Sequence, residues 1–203
     1  MKTIHTKFED EKVVETLLNN EVVSFPTETV YGLGVVYDSE EAFNKLVKAK
    51  NRNPDKPFTL MLSSIHDIEN YAEVTPEIKK VIKKFMPGEI TLLLKPKDNL
   101  YPWVKLNSKY IGIRVPDYDE VRRLIHDCHK PLLVTSANIS GQPVLKNYEE
   151  VCNTFDGIIP VIVKGDTRSS VPSSIFILDG KQVTEIRKGN ISLEEVLKVY
   201  EGE

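Results

Sequence analysis

Residues 22–34 read VVSFPTETVYGLG, an apolar strand that runs directly into proline, threonine, glutamate and tyrosine side chains before it reaches two glycines. A strand in a protein core needs apolar neighbours, and an ordinary surface turn seldom contains so many hydroxyl groups. The stretch therefore predicts a strand edge that presents polar groups to a small ligand.

The composition is typical of one soluble domain. The chain has 203 residues, of which 40% are hydrophobic, and its net charge of −3 reflects 27 basic and 30 acidic side chains. This size suits a single hydrophobic core, so we expect residues 1–203 to form one domain. The charge neither indicates nor excludes a nucleic acid partner. No apolar run suits a signal peptide or a membrane helix, which predicts a cytoplasmic protein without a membrane partner.

Helical periodicity and strand-like runs alternate along the chain. Capping signals and apolar stripes predict helices at 11–20, 38–50, 75–85, 119–128 and 147–155 and from 192 onward. Short apolar runs predict strands at 21–25, 57–62, 90–94, 111–115, 131–136, 157–163, 173–178 and 182–188. The last two runs are separated by a short turn, which favours an antiparallel pair. We therefore predict an α/β fold with a twisted, mixed, open sheet flanked by helices.

Polar side chains gather where the predicted strands end. In an open α/β sheet the loops at strand ends form the ligand crevice, so we expect these groups to converge. They are Thr27, Glu28, Thr29 and Tyr31; Lys50 and Arg52; Arg114; Thr135, Ser136 and Asn138; and Ser173, Ser174 and Arg187.

The basic members of this set each have a plain alternative. Lys50 and Arg52 follow a predicted helix, whose negative end attracts basic residues, so a surface role stays open. Their spacing in a non-helical segment would instead aim both cations at one phosphate or carboxylate. Arg114 lies inside an apolar strand, where either a buried ion pair or an anionic ligand would offset the cost of burial. Arg187 could instead lie exposed on the surface, without a role in ligand binding.

The neutral members also have structural alternatives. Ser136 and Asn138 could belong to a capped turn, and Ser174 could be an ordinary serine of an edge strand. The residues His126 to His129 point in different directions on a helix, which argues against a metal site. The two cysteines lack the spacing of a zinc site or a disulfide framework. The P-loop, the nucleophile elbow and the G-x-G-x-x-G pattern are missing, so a nucleotide would be bound by side chains and backbone amides.

Seven motifs, in this order, resemble the YrdC/TsaC family of threonylcarbamoyl-AMP synthases. They are SFPTETVYGLG at 24–34, K-x-R at 50–52, PGEITLLL at 87–94, IGIRVP at 111–116, LVTSANISGQP at 133–143, PSSIFIL at 172–178 and IRKG at 186–189. The resemblance implies a YrdC-like fold with a large concave cavity. It also implies a reaction that joins L-threonine, bicarbonate and ATP into threonylcarbamoyl-AMP and pyrophosphate, for the t6A modification of adenosine 37 in tRNA.

The resemblance further implies a role for each matching residue. Lys50 and Arg52 would be catalytic and would stabilise the negative charge of the phosphates. The threonine and bicarbonate site would comprise Thr27, Tyr31, Arg52, Arg114 and Ser174. The nucleotide site would comprise Lys50, Arg52, Thr135, Ser136, Asn138, Ser174 and Arg187. Magnesium is expected with ATP, without a metal site built from protein side chains. The t6A transferase machinery would act downstream, and tRNA or double-stranded RNA is a possible partner.

Four features depart from the family pattern. Asn53 follows the K-x-R motif where proline is usual, and Met61 or Leu62 stands where many members have histidine. The PFTLM segment resembles the YciO branch, and the chain ends at Glu203 without the extra domain of longer relatives, which implies a short single-domain form. Two alternatives therefore stay open: a YrdC-like module that binds double-stranded RNA or tRNA, and a YciO-like paralogue with a different acceptor.

Overall fold

The computed structural model describes residues 1–202, and Glu203, the last residue of the predicted domain, lies outside that range. The strands are β1 (Ile4–Thr6), β2 (Val23–Phe25), β3 (Gly32–Val36), β4 (Thr59–Met61), β5 (Ile90–Leu94), β6 (Ile111–Arg114), β7 (Leu132–Ser136), β8 (Val161–Val163), β9 (Ser174–Asp179) and β10 (Gln182–Arg187). The helices are α1 (Glu11–Leu18), α2 (Glu40–Lys50), α3 (Pro76–Phe85), α4 (Pro102–Lys105), α5 (Asp119–Asp127), α6 (Tyr148–Phe155) and α7 (Leu193–Glu201), with a 3-10 helix at Ile65–Asn70. Each predicted element is present within a few residues.

The strands of residues 1–202 join in one mixed sheet with the order β1-β8-β2-β3-β7-β4-β6-β5-β9-β10. The pairs β1–β8, β2–β8, β4–β6 and β5–β9 are parallel, and the remaining neighbours are antiparallel. The predicted mixed, open sheet and the predicted antiparallel pair β9–β10 are confirmed. None of the helices in the described range has both the length and the hydropathy that a membrane span requires.

Helix α2 delivers the K-x-R motif to the centre of the sheet. Its first turn is capped by Ser39, whose hydroxyl accepts a hydrogen bond from the amide of Ala42. The helix continues through Lys50 and stops at Asn51, which adopts a left-handed conformation with φ of 49°. Lys50 is therefore the last helical residue, and Arg52 begins the segment that leads to β4.

The two glycines of the opening stretch lie inside a strand. The sequence pattern places them at the close of a polar turn, whereas Gly32 and Gly34 belong to β3, between β2 and β7. The ring of Phe25 packs directly over this position, and a Cβ atom on Gly34 would lie 2.7 Å from its Cε1 atom. Glycine lets the fully buried phenylalanine contact the backbone of the neighbouring strand.

We expect Gly34→Ala to lower the free energy of unfolding by about 1–3 kcal/mol, because the added methyl group overpacks the core against Phe25. Urea denaturation of the purified variant measures this loss. Gly112→Ala is the matched control, since a Cβ atom there meets its neighbours at 3.4 Å, an ordinary contact distance. Equal losses in the two variants would show that the close approach to Phe25 is not the cause.

Candidate active site

A cavity of about 240 Å³ lies on one face of the sheet. This volume is slightly below the range of roughly 300–1,000 Å³ that is usual for small-molecule pockets. Alternate residues of the central strands border it, among them Thr59 and Met61 of β4 and Thr91 and Leu93 of β5. Because side chains at every second position share one face of a strand, this pattern places the cavity on a single side of the sheet.

The polar clusters identified in the sequence converge on this cavity only in part. Seven of the ten predicted site residues border it: Thr27, Tyr31, Arg52, Arg114, Thr135, Ser136 and Arg187. The other three, Lys50, Asn138 and Ser174, are not among the residues that border it. The strand ends and loops that carry the predicted residues thus supply most, but not all, of those side chains to one cavity.

The loop between β2 and β3 forms a network of hydroxyl groups at the cavity wall. The Oγ1 atom of Thr27 donates to the carbonyl of Val30 at 2.8 Å and lies 3.0 Å from the Oγ1 atom of Thr29. Thr29 in turn accepts a hydrogen bond of 2.9 Å from the Nη2 atom of Arg114. The threonines therefore fix the orientation of the guanidinium group that β6 supplies.

Arg114 is both an ion-pair partner and a cavity residue. Its Nη2 atom lies 2.8 Å from the Oε1 atom of Glu28, and the two side chains are only 8% and 3% exposed. The same carboxylate oxygen accepts a hydrogen bond from the amide of Asp117 at 3.0 Å. The Nε atom of Arg114 and the Oε2 atom of Glu28 are buried and have no hydrogen-bond partner among the described residues. The buried ion pair, one of the two explanations left open by the sequence, is therefore present, and the anionic ligand stays a prediction.

Arg52 is held over the cavity by its own segment. Its Nη2 atom donates to the carbonyl of Pro57 at 3.1 Å, and its Nε atom donates to the carbonyl of Lys56 at 3.3 Å. The guanidinium carbon lies 5.1 Å from the ring centre of Phe58, a distance suited to a cation–π contact. Burial lowers the pKa of Arg52 from its usual value. No carboxylate pairs with this cation among the described contacts.

Arg187 approaches the cavity from β10. Its Nε and Nη2 atoms donate to the carbonyl and the hydroxyl of Ser173 at 2.9 and 3.0 Å. The pKa of Arg187 is lowered by burial and then by the positive charge of Arg114. Among the described residues that border the cavity, the charged side chains are three arginines, and no aspartate or glutamate is present. The site is therefore suited to anionic ligands.

The serine that faces the cavity is Ser173 rather than the predicted Ser174. Ser174 directs its hydroxyl to Ile191, donating to the carbonyl at 2.7 Å and accepting from the amide at 3.1 Å. Ser173 contacts Thr91 at 2.9 Å and borders the cavity together with Ile175. The signal for this assignment was present in the sequence, because Phe176 and Leu178 mark the buried face to which Ser174 belongs.

Lys50 contacts the segment 136–140, called the SANIS loop after its sequence. Its Nζ atom donates to the carbonyl of Ser136 at 2.6 Å and to the carbonyl and side-chain oxygens of Asn138 at 3.0 and 2.8 Å. Burial and the positive charge of Arg52 lower the pKa of Lys50 to about 7. The expectation that Lys50 and Arg52 aim the same way is wrong, because the left-handed Asn51 turns the chain between them.

Tyr31 borders the cavity but commits its hydroxyl to the backbone. The phenol oxygen donates to the carbonyl of Gly165 at 2.6 Å and lies 3.2 Å from the carbonyl oxygen of Val163. Burial is the main cause of a raised pKa for Tyr31, so the phenol stays neutral. The side chain thus joins the opening stretch to the chain that follows β8.

The structure offers no separate metal centre within residues 1–202, where no three His, Cys, Asp or Glu side chains are placed to hold an ion together. Glu28 lies in sequence between the cavity residues Thr27 and Thr29, and its carboxylate is paired with Arg114 at 2.8 Å. A carboxylate already paired with a guanidinium group is a poor ligand for Mg²⁺, which prefers oxygen ligands that carry free negative charge.

Comparisons with known proteins place this geometry in context. The family model Sua5_yciO_yrdC, described as "Telomere recombination", matches residues 15–189. The threonylcarbamoyl-AMP synthase of Bacillus subtilis strain 168 is 37% identical over 183 residues, 89% of this chain and 53% of that protein. The protein of the same name from Wigglesworthia glossinidia brevipalpis is 33% identical over 181 residues, 88% of this chain and 92% of that protein. The chain thus spans about half of the first relative and most of the second.

Solved structures show the same architecture. Pyrococcus abyssi Sua5 complexed with L-threonine superposes with a TM-score of 0.87 and 30% identity, over 98% of this chain and 60% of that one. A substituted variant of the same protein gives a TM-score of 0.91 at 30% identity, over 97% of this chain and 63% of that one. Escherichia coli YciO gives a TM-score of 0.85 at 21% identity, with coverage of 97% and 98%, a similarity that shows the fold alone.

Proposed function

The chain belongs to the Sua5_yciO_yrdC family, and we propose that it is a threonylcarbamoyl-AMP synthase, a nucleotidyltransferase that uses L-threonine, bicarbonate and ATP. The observation that carries this proposal is the convergence of Arg52, Arg114 and Arg187 on one cavity rich in hydroxyl groups. The names of the relatives and the threonine bound to P. abyssi Sua5 support the choice of substrates.

The proposed reaction needs a site that holds several anionic groups together. The amine of threonine and bicarbonate first form a carbamate and release water. A carbamate oxygen then attacks the α-phosphorus of ATP, the new P–O bond forms, and the bond to the β-phosphate breaks to release pyrophosphate. The carboxylate, the carbamate and the triphosphate would repel one another in water, and three guanidinium groups offset that repulsion.

We assign the cavity residues to the two substrates by their neighbours. Arg114 with Thr27 and Thr29 suits the carboxylate of the amino acid, since the threonines orient this guanidinium group. Thr135 and Ser136 suit the nucleotide, with Arg52 and Arg187 on its phosphates. Ser173 takes the place of the predicted Ser174. Lys50 and Asn138 have no direct contact with the substrates in this proposal.

Catalysis in this site would depend on positioning and electrostatics. The residues that border the cavity in the described range include no histidine, aspartate, glutamate or lysine that could act as a general base. The arginines and hydroxyl groups would instead hold the carbamate in line with the α-phosphorus. Magnesium would enter with ATP as part of the substrate and reduce the charge of the triphosphate. The product would be consumed by the t6A transferase machinery.

The proposed function also concerns the number of domains in the chain. That residues 1–203 form one domain stays a prediction, and the single sheet of residues 1–202 supports it.

Pyrophosphate release tests the function. The protein is incubated with Mg–ATP, bicarbonate and one amino acid at a time, with serine and valine as analogues of threonine. We expect release that needs both threonine and bicarbonate, together with a product of the mass of threonylcarbamoyl-AMP. Omission of bicarbonate is the control.

The other outcomes correspond to the two alternatives. Release that does not depend on threonine would favour the YciO-like paralogue with a different acceptor, consistent with Met61 at the cavity wall. No release, combined with salt-sensitive binding of double-stranded RNA that survives Arg52→Ala, would favour the RNA-binding module.

A further inference from the structure

Every hydrogen of the Lys50 ammonium group is engaged by the SANIS loop. An ammonium group has three N–H donors, and Lys50 directs them to three oxygen atoms at 2.6 to 3.0 Å. All three acceptors belong to Ser136 and Asn138, and the residue is only 2% exposed. A phosphate oxygen could be bound only after one of these hydrogen bonds breaks.

The backbone of Lys50 holds the same loop at a second point. Its carbonyl oxygen accepts a hydrogen bond of 2.8 Å from the amide of Ser140. Within the loop, Asn138 accepts from the hydroxyl of Ser136 at 2.7 Å and donates to the carbonyls of Ile139 and Gln142 at 3.0 and 2.7 Å. The end of α2 and the SANIS loop therefore form one hydrogen-bonded unit.

Among Lys50, Ser136 and Asn138, only Ser136 borders the cavity. Its carbonyl oxygen is the acceptor in the shortest of the three Lys50 hydrogen bonds. Lys50 itself does not border the cavity, whereas three arginines do. The cations needed for anionic substrates are thus already present without Lys50.

We propose that Lys50 is a positioning residue, which fixes the SANIS loop so that Thr135 and Ser136 are held ready for the nucleotide, and that it does not bind phosphate itself. The kinetic part of this proposal rests on the proposed function. The structural part does not, because the loop is held in the protein without substrates.

Hydrogen exchange of the substrate-free protein tests the structural part. In Lys50→Met we expect the amides of the SANIS loop to exchange at least about tenfold faster, since the loop loses three hydrogen bonds. The matched control is Lys48→Met, the same substitution at an exposed position on the last turn of α2, and it should leave the loop unchanged. Unchanged loop exchange in Lys50→Met would overturn the proposal.

A double-mutant cycle separates positioning from direct binding. Asn138→Ala removes one acceptor of the same unit and should raise loop exchange and the KM for ATP by factors similar to those of Lys50→Met. The double variant should then be no worse than the poorer single variant, because both changes break one unit. Effects that multiply in the double variant would overturn the proposal. If Lys50→Met does not fold, amide exchange of the SANIS loop in Asn138→Ala is the deciding measurement. Faster exchange would support the hydrogen-bonded unit of Lys50 and the loop, and unchanged exchange would overturn the proposal.

Kinetics supply a readout that a general loss of structure would not give. We expect Lys50→Met to raise the KM for ATP at least about tenfold while the KM for threonine changes less than about twofold. A collapse of kcat with an unchanged KM for ATP would instead indicate a contact made in the transition state and would overturn the proposal. If the wild-type protein releases no pyrophosphate, the proposed function fails, and hydrogen exchange still decides the role of Lys50.

Discussion

Arg52→Ala is expected to lower kcat/KM for threonine-dependent pyrophosphate release by about 100- to 1,000-fold, comparable to the loss of one preorganised donor to a developing anion. Arg52 is the one described cation of the cavity that has neither a carboxylate partner nor a serine side chain bonded to its guanidinium group. Its free donors are therefore available to phosphate. A malachite-green assay after pyrophosphatase treatment measures the loss.

The effect on the fold should be small. Arg52 bonds to two carbonyls of its own segment and to no other element, so the free energy of unfolding should change by less than about 1 kcal/mol. Arg123→Ala is the matched control, since that arginine is exposed on α5 and does not border the cavity. Arg52→Lys should keep the charge but lose the planar pair of donors. Its activity should lie between that of Arg52→Ala and that of the wild-type protein. Wild-type rates in Arg52→Ala would remove this residue from the mechanism.

The sequence was sufficient for the class of fold because most elements carry strong local signals. Thr75 and Pro76 begin α3 as predicted, and the capping box of Ser192 and Glu195 begins α7. The strands β1 and β3 were missed for a physical reason. Strand β1 has only three residues, and β3 contains two glycines, which are unfavourable in strands unless a neighbour packs closely against the backbone. Sequence periodicity does not reveal that Phe25 is this neighbour.

Seven of the ten predicted side chains border the cavity, and the remaining ones show why a strand end is easier to predict than the direction of each side chain. Lys50 and Arg52 are two residues apart, yet one contacts the SANIS loop and the other lies over Phe58, because a single left-handed residue separates them. Ser173 and Ser174 are adjacent and of the same type, and only the alternation with the buried Phe176 and Leu178 separates the serine that borders the cavity from the one that does not. The hydroxyl group of Thr91 was not predicted, because a threonine inside an apolar strand is an ordinary residue until the fold places it at the cavity beside Ser173.

The second large effect concerns stability. Arg114→Met should lower the free energy of unfolding by about 3–5 kcal/mol, because the Glu28 carboxylate, 3% exposed, would keep only the amide of Asp117 as a partner. The Oε2 atom of Glu28 is itself buried and has no hydrogen-bond partner among the described residues. Urea denaturation measures the loss, and Lys79→Met is the matched control. That substitution breaks an exposed ion pair of 2.7 Å with Glu69, and it should cost less than about 1 kcal/mol.

The paired substitution shows whether the penalty comes from the isolated charge. In Glu28→Met with Arg114→Met neither charge of this ion pair is left, and two apolar side chains of similar length occupy the space. We expect the double variant to be more stable than Arg114→Met by at least about 2 kcal/mol, since replacing both members of a buried pair is far less costly than removing one. A double variant as unstable as the sum of the two single variants would contradict this account. The same protein should release no pyrophosphate despite its recovered stability, because it lacks Arg114, which the proposed function assigns to the carboxylate of the amino acid.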